Sequence, residues 1–135
     1  MPPPTTLVDQ LNATPLPLAK LLGIDIIEAS KAGVTARLTV RDEICTEGGI
    51  LHGGAFMALA DTVGAIGAHL NLADGARTTT VESKTNFLGG AAVGAVVTAE
   101  ATPVHVGRRT SVWQTRVTNS DGKLLALVVQ TQLAI

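Results

Sequence analysis

One acid stands alone in the most apolar stretch of the chain. Residues 54–70 are nearly all apolar or small, and Asp61 is the exception at their middle. If this stretch is a helix, the neighbours of Asp61 three, four and seven positions away are Met57, Ala58, Gly64, Ala65, Gly54 and Ala68. None of them can donate a side-chain hydrogen bond. An ionised carboxylate there must find donors on the backbone or elsewhere in the chain, or else take up a proton. Such a group can serve as a general base or a nucleophile, and it can equally be a buried, satisfied acid that only holds a core together. A helical side chain leans toward the helix N-terminus, here toward His52-Gly53-Gly54. First-turn amides have no intrahelical acceptor, and the two glycines let another molecule approach them closely. A carboxylate beneath free amides, with small side chains leaving room for a ligand, suits acyl transfer.

The elements around this stretch must position it. With no hydrated face, the helix must be surrounded by protein on most sides. Asp61, His69, Asn71 and four glycines keep it from being a membrane span. Residues 1–6, with three consecutive prolines, read as an extended lead. Residues 7–22 are cut by Pro15 and Pro17 into two short helical pieces, and Gly23 is placed to stop the second. Residues 24–30 and 34–40 read as a hairpin with one wet face, and 41–50 as a loop delivering the chain to the helix. After the helix come four β-like segments, near 76–88, 92–106, 109–119 and 123–133. Their short connections imply antiparallel neighbours. Pro103 implies a bulge or an exposed edge, and Trp113 reads as packing. The result is an α+β fold, a long central helix wrapped by a curved antiparallel sheet in the order β-β-α-β-β-β-β.

Composition narrows the function. A chain of 135 residues is one domain by length. A net charge of −1, two Phe, one Trp and no Tyr exclude a phosphate-tracking or base-stacking surface, so no nucleic-acid partner is expected. His69, His105 and Cys45 have no metal-ligand spacing, and no metal is expected. The single Cys45 cannot form an internal disulfide; it reads as inert filler in a protein of the reducing cytoplasm. A hydrophobic content of 46% and a mean hydropathy of +0.35 suggest apolar surface covered by a second copy.

The run His52-Gly53-Gly54-Ala55-Phe56-Met57-Ala58-Leu59-Ala60-Asp61 resembles the motif of the hotdog-fold acyl-CoA thioesterases. The branch it resembles holds the phenylacetate-degradation thioesterases and the Arthrobacter-type 4-hydroxybenzoyl-CoA thioesterase. The likeness runs from Gly23 to the C-terminus, through Gly107-Arg108-Arg109-Thr110 and Asp121-Gly122-Lys123-Leu124. It implies a single hotdog domain at 23–135, preceded by the lead and short helices at 1–22. It also implies hydrolysis of an acyl-CoA thioester, aryl or short to medium in its acyl group, with no cofactor beyond the coenzyme A of the substrate. The protein would be a homo-oligomer, a dimer of hotdog subunits assembled into a tetramer.

By the same resemblance Asp61 is general base or nucleophile, the Gly53 N–H stabilises the oxyanion, and His52 shapes the loop and assists. Thr46, six residues before His52, stands where relatives have Asn or Gln, with Glu47 beside it as a substitute. Thr80 matches a hydroxyl that some relatives supply across the dimer to the water, and its plain reading is a threonine in a threonine-rich strand. Gly54 and Met57 would line the substrate. Arg108 and Arg109 would lie near the nucleotide end of coenzyme A, unless they are only a solvated turn. Leu88-Gly89-Gly90-Ala91 replaces an Arg-Pro step of relatives at the mouth of the site. Two other readings stay open: a non-catalytic acyl-CoA-binding module, and a hotdog enoyl-CoA hydratase or dehydratase, for which Asp61 lacks a histidine one turn onward.

Overall fold

Local chemistry sets where each helix starts and stops. The computed structural model describes residues 5–135, and the prolines at 2–4, expected to run extended, lie outside the described residues. Thr6, read above as the end of that lead, is instead the N-cap of α1 (Leu7–Ala13). Its hydroxyl accepts the Asp9 amide at 3.1 Å, and the Asp9 carboxylate accepts the Thr6 amide at 3.2 Å, pairing donors that a helix start otherwise leaves free. Pro17 opens α2 (Pro17–Leu22), where its missing N–H is no loss, and Gly23 closes it in the left-handed conformation at φ 77°. Arg41 donates from Nη1 to the Leu22 carbonyl at 2.7 Å and from Nη2 to the Leu21 carbonyl. The Asn12 amide brackets Ile26, accepting its N–H at 2.9 Å and donating to its carbonyl at 2.8 Å. α1 is thus pinned to the first strand through Ile26, and α2 to the segment after the second strand through Arg41.

The central helix α3 (Gly53–Leu70) presses one face on a sheet. Phe56, Leu59 and Val63 are buried there. At Gly64 and Gly67 the approach is so close that sheet side chains occupy the place of a Cβ. A Cβ at 64 would lie 2.5 Å from Gln130 Oε1, and one at 67 would lie 2.5 Å from Trp113 Cζ3. The room that small residues were expected to leave for a ligand is, at these two positions, filled by the protein itself. Trp113 packs as expected, fully buried with Nε1 donating to Ser111 Oγ at 3.0 Å. The other face of α3, carrying Ala58, Thr62, Ala65 and Ile66, is only partly covered, and half-buried Asp61 lies at its border with the sheet. The expectation that the helix is surrounded on most sides is corrected for one chain, because a single curved sheet wraps only one side of the cylinder.

The strands are β1 (Asp25–Ser30), β2 (Gly33–Thr39), β3 (Cys45–Thr46), β4 (Ile50–Leu51), β5 (Thr78–Phe87), β6 (Val96–Val106), β7 (Thr110–Thr118) and β8 (Leu124–Ala134). The expected loop before α3 therefore contains the small β3–β4 pair, after a 3-10 turn at Asp42–Ile44. The large sheet is antiparallel in the order β1-β2-β6-β7-β8-β5. One inference from connection length fails: β5 and β6 are not neighbours, and lie three strand positions apart. The eight residues between Phe87 and Val96 can reach about 26 Å. Three strand spacings need only about 14 Å, so the length allows a crossing as well as a hairpin. The crossing is fixed by hydrogen bonds from the amides of Leu51 to the Ala91 carbonyl, Val93 to Gly49, and Gly94 to Val40.

Bulges curve the sheet around the helix. Pro103 sits at one, and there β6 has already run past the end of β2. Another falls between Thr80 and Glu82 on the edge strand β5, leaving Thr78, Thr80, Ser83 and Thr85 all turned inward. No helix among the described residues is long and apolar enough to cross a membrane. Since Trp113 cannot retreat from its buried seat, Gly67→Ala is expected to destabilise the fold by about 1–3 kcal/mol, read as a lower midpoint in urea unfolding.

Candidate active site

Asp61 finds its donors across the helix–sheet seam. Thr80 on β5 donates its hydroxyl to Asp61 Oδ1 at 2.6 Å, and Gln130 on β8 donates Nε2 to the same oxygen at 2.9 Å. Gln132 Nε2 in turn donates to the Thr80 hydroxyl at 2.7 Å, and its Oε1 accepts the Thr78 hydroxyl at 2.9 Å. The chain of donors has one direction, from Thr78 through Gln132 and Thr80 to the carboxylate. Thr80 lies on a threonine-rich strand, as expected, and its hydroxyl is spent on Asp61 of the same chain. Asp61 is half-buried, and its Oδ2 accepts no hydrogen bond among the described residues.

At the start of α3 the amides are allotted differently from expectation. His52 is the N-cap, and its Nδ1 accepts the Gly54 N–H at 2.7 Å, so a neutral ring carries its proton on Nε2. The Ala55 and Phe56 amides both reach the His52 carbonyl. That leaves the Gly53 N–H without a partner among the described residues, at the positive end of the helix. Phe87 leans over Gly53, where a Cβ would lie 3.2 Å from its ring, and meets Phe56 edge-on at 6.3 Å. Thr46 and Glu47 lie exposed in the strand and turn before this helix start, and Met57 is half-buried one turn into it. His52, Gly53, Gly54, Met57, Thr46 and Glu47 thus gather at one end of α3.

Asp61 is not part of that gathering. Eight residues separate it from Gly53 on the same helix, or about 12 Å of rise. The lean of one side chain spans far less, so the expected carboxylate beneath the amides does not occur within one chain. Arg108 and Arg109 lie farther still, in the exposed β6–β7 turn beside Asn71 and Leu72 at the other end of α3. The Arg109 carbonyl accepts the Ala134 amide at 2.7 Å, which ties the turn to the end of β8.

Two site residues escaped sequence reading. Gln130 and Gln132 are completely or almost completely buried, and a period of two puts them in phase with the core residue Val128 on β8. Glutamine at the phase of a core valine was the available signal. Cys45 is half-buried, and its Sγ donates to the Arg41 carbonyl at 3.3 Å. Loss of solvent and the nearby carboxylates of Asp42 and Glu43 push its thiol up from the ordinary value, away from the thiolate a nucleophile needs.

The thioesterase superfamily model matches residues 48–126, a span that includes Gly53, Asp61 and Thr80 and ends before Gln130. The chain belongs to the thioesterase superfamily. A 1,4-dihydroxy-2-naphthoyl-CoA hydrolase of Listeria monocytogenes is 31% identical over 110 residues, 82% of this chain and 89% of that one. The crystal structure of a mutant of thioesterase PA1618 from Pseudomonas aeruginosa superposes with a TM-score of 0.90 at 30% identity, covering 98% of this chain and 96% of that one. The PaaI protein of the E. coli phenylacetic acid degradation operon superposes with a TM-score of 0.80 at 28% identity, covering 87% and 83%. This thioesterase therefore has the hotdog fold, and it is an enzyme of thioester hydrolysis. Its cysteine stands apart from that chemistry: Cys45→Ser is expected to keep wild-type turnover. At pH 7 the Cys45 thiol should react with an aromatic disulfide reagent more slowly than free cysteine, with the rate climbing as pH rises.

Proposed function

We propose that this thioesterase hydrolyses acyl-CoA thioesters with Asp61 as the acting carboxylate. The observation that carries the reading is the asymmetry of that group: Oδ1 accepts two hydrogen bonds from the sheet, while Oδ2 accepts none among the described residues. A carboxylate so held can take a proton from water as the oxygen bonds the acyl carbon and the thiolate departs. It can also attack that carbon itself, expelling the thiolate and leaving an anhydride for water to open. The unpartnered Gly53 amide at a helix N-terminus suits the oxyanion formed on either route.

The 12 Å or so between Gly53 and Asp61 along one helix argues that a site using both needs a second copy of the chain. The open face of α3 is small and apolar around Asp61, and apolar clefts of about 450 and 420 Å³ flank it. Paired central helices from two chains would close the site and give an acyl group its room. The branch is that of the phenylacetate-degradation and 4-hydroxybenzoyl-CoA thioesterases, supported by the His52 to Asp61 motif and the likeness to PaaI. Relatives named for 1,4-dihydroxy-2-naphthoyl-CoA favour aryl over aliphatic acyl groups. Arg108 and Arg109 suit coenzyme A phosphates. The domain runs over 23–135 behind the short helices at 7–22, in a cytoplasmic homo-oligomer.

Thiol release from benzoyl-, phenylacetyl- and hexanoyl-CoA, corrected for the Cys45 thiol, tests the assignment. Asp61→Asn is expected to lower turnover by about 10²- to 10⁴-fold while the protein stays folded; full turnover in that variant would sink the role given to Asp61. Gly53→Pro removes one N–H at a helix position that tolerates proline, and is expected to lower kcat by about 10²- to 10³-fold. Co-expressing the two variants should restore activity if each site takes Asp61 from one chain and Gly53 from the other. Hybrids as inactive as either parent would instead point to sites built within one chain.

A further inference from the structure

Gln130 lies where α3 and β8 come close together. The side chain is wholly buried, on the inner face of β8, between Trp113 across one strand pair and Ser83 across the other. Its Nε2 is spent on Asp61 Oδ1, while its Oε1 is buried with no hydrogen-bond partner among the described residues. A buried amide oxygen without a donor is unfavourable. Turning the amide over would bring Oε1 against a carboxylate oxygen, which is worse. The carboxylate therefore fixes which end of the amide faces it. The helix accommodates the rest of the group only because position 64 is glycine: a Cβ there would lie 2.5 Å from Oε1 and 2.7 Å from Cδ. Glycine in a helix interior is itself unfavourable relative to alanine. Two locally unfavourable choices, an orphaned oxygen and a helical glycine, converge on keeping one N–H at 2.9 Å from Asp61.

We propose that Gln130, seated in the notch left by Gly64, is a positioning residue that engages one oxygen of Asp61 and so determines which oxygen faces the substrate. Thr80, oriented by Gln132, holds the same Oδ1 from β5, so the carboxylate is gripped from two strands and its rotation is blocked. Loss of one grip lets the group turn, and the fraction of time Oδ2 spends in a reacting orientation falls. This should appear in kcat more than in KM, because neither glutamine nor glycine reaches the open face where substrate binds.

The inference rests on Asp61 being the acting carboxylate, and the test separates the two claims. Steady-state hydrolysis of benzoyl-CoA and hexanoyl-CoA is measured for the wild type, Gln130→Met, Gly64→Ala, the double variant and Asp61→Asn, with urea unfolding of each. Methionine keeps the volume of Gln130 and removes the donor. Gln130→Met is expected to lower kcat about tenfold to hundredfold, the usual weight of a hydrogen bond to a charged group, with KM within about twofold. Gly64→Ala leaves Gln130 in the sequence but crowds its amide, and should lower kcat in the same direction. The double variant should be no slower than Gln130→Met alone, since both changes remove the same contact. Wild-type kcat in a folded Gln130→Met, with Asp61→Asn inactive, would overturn the inference and leave the role of Asp61 standing. If Gln130→Met does not fold, wild-type kcat in folded Gly64→Ala overturns it. Full activity in Asp61→Asn removes both claims together.

Discussion

The structure turns on a single requirement, that a carboxylate lodged between an apolar helix and a sheet be satisfied from the sheet side. Nothing on α3 can hydrogen-bond Asp61, so the donors must come from strands, and the strands must approach the helix closely enough to deliver them. Gly64 and Gly67 permit that approach, and Gln130 and Trp113 fill the two notches. The bulge between Thr80 and Glu82 then turns Thr80 inward at the height of Asp61. Helix packing, strand register and the state of the carboxylate are therefore one problem. Shifting β5 by one residue would face Thr79 or Val81 toward the helix and leave Asp61 with one donor fewer.

How much of this was legible in the sequence depends on the range of the interaction. The helix over 54–70, the two proline-punctuated pieces before it and the hairpin turns follow from periodicity and turn chemistry, which are local. The motif from His52 to Asp61 was legible too, because both residues sit on one element. The partners of Asp61 were not, because Thr80 and Gln130 lie 19 and 69 residues away and meet only through the register of β5 on β8. Strand order failed for a related reason. Connection length bounds how far a chain can go, but whether β6 pairs with β5 or crosses to β2 is decided by which residues the 88–95 segment bonds on the way. The glycines of α3 were visible as glycines; that two of them receive sheet side chains required the packing.

His52 illustrates how one residue narrows the chemistry of a helix start. Before the structure, the first turn of α3 offered a set of unpaired amides. His52 Nδ1 takes the Gly54 N–H, and its carbonyl takes those of Ala55 and Phe56. A single first-turn amide, that of Gly53, is left without a partner among the described residues. A pair of adjacent free amides would hold an anion in either of two registers, whereas one fixes the point of contact. The amide lies at the positive end of an 18-residue helix.

The two free groups, one amide and one carboxylate oxygen, have opposite electrostatic roles and sit on the same helix two turns apart. Had they been adjacent, the carboxylate would have accepted the amide, and both would have been consumed. Their separation keeps each unpartnered among the described residues of one chain. An unpaired donor and an unpaired acceptor are tolerable only near water, which is why both lie at partly open positions while the glutamines behind them are buried. Any surface that covers the open face of α3 must therefore either satisfy these two groups or enclose something that does. One carbonyl group is too short to meet both within a single chain, where about 12 Å of helix rise separates them; it meets both only if a second copy brings its Gly53 amide against Asp61.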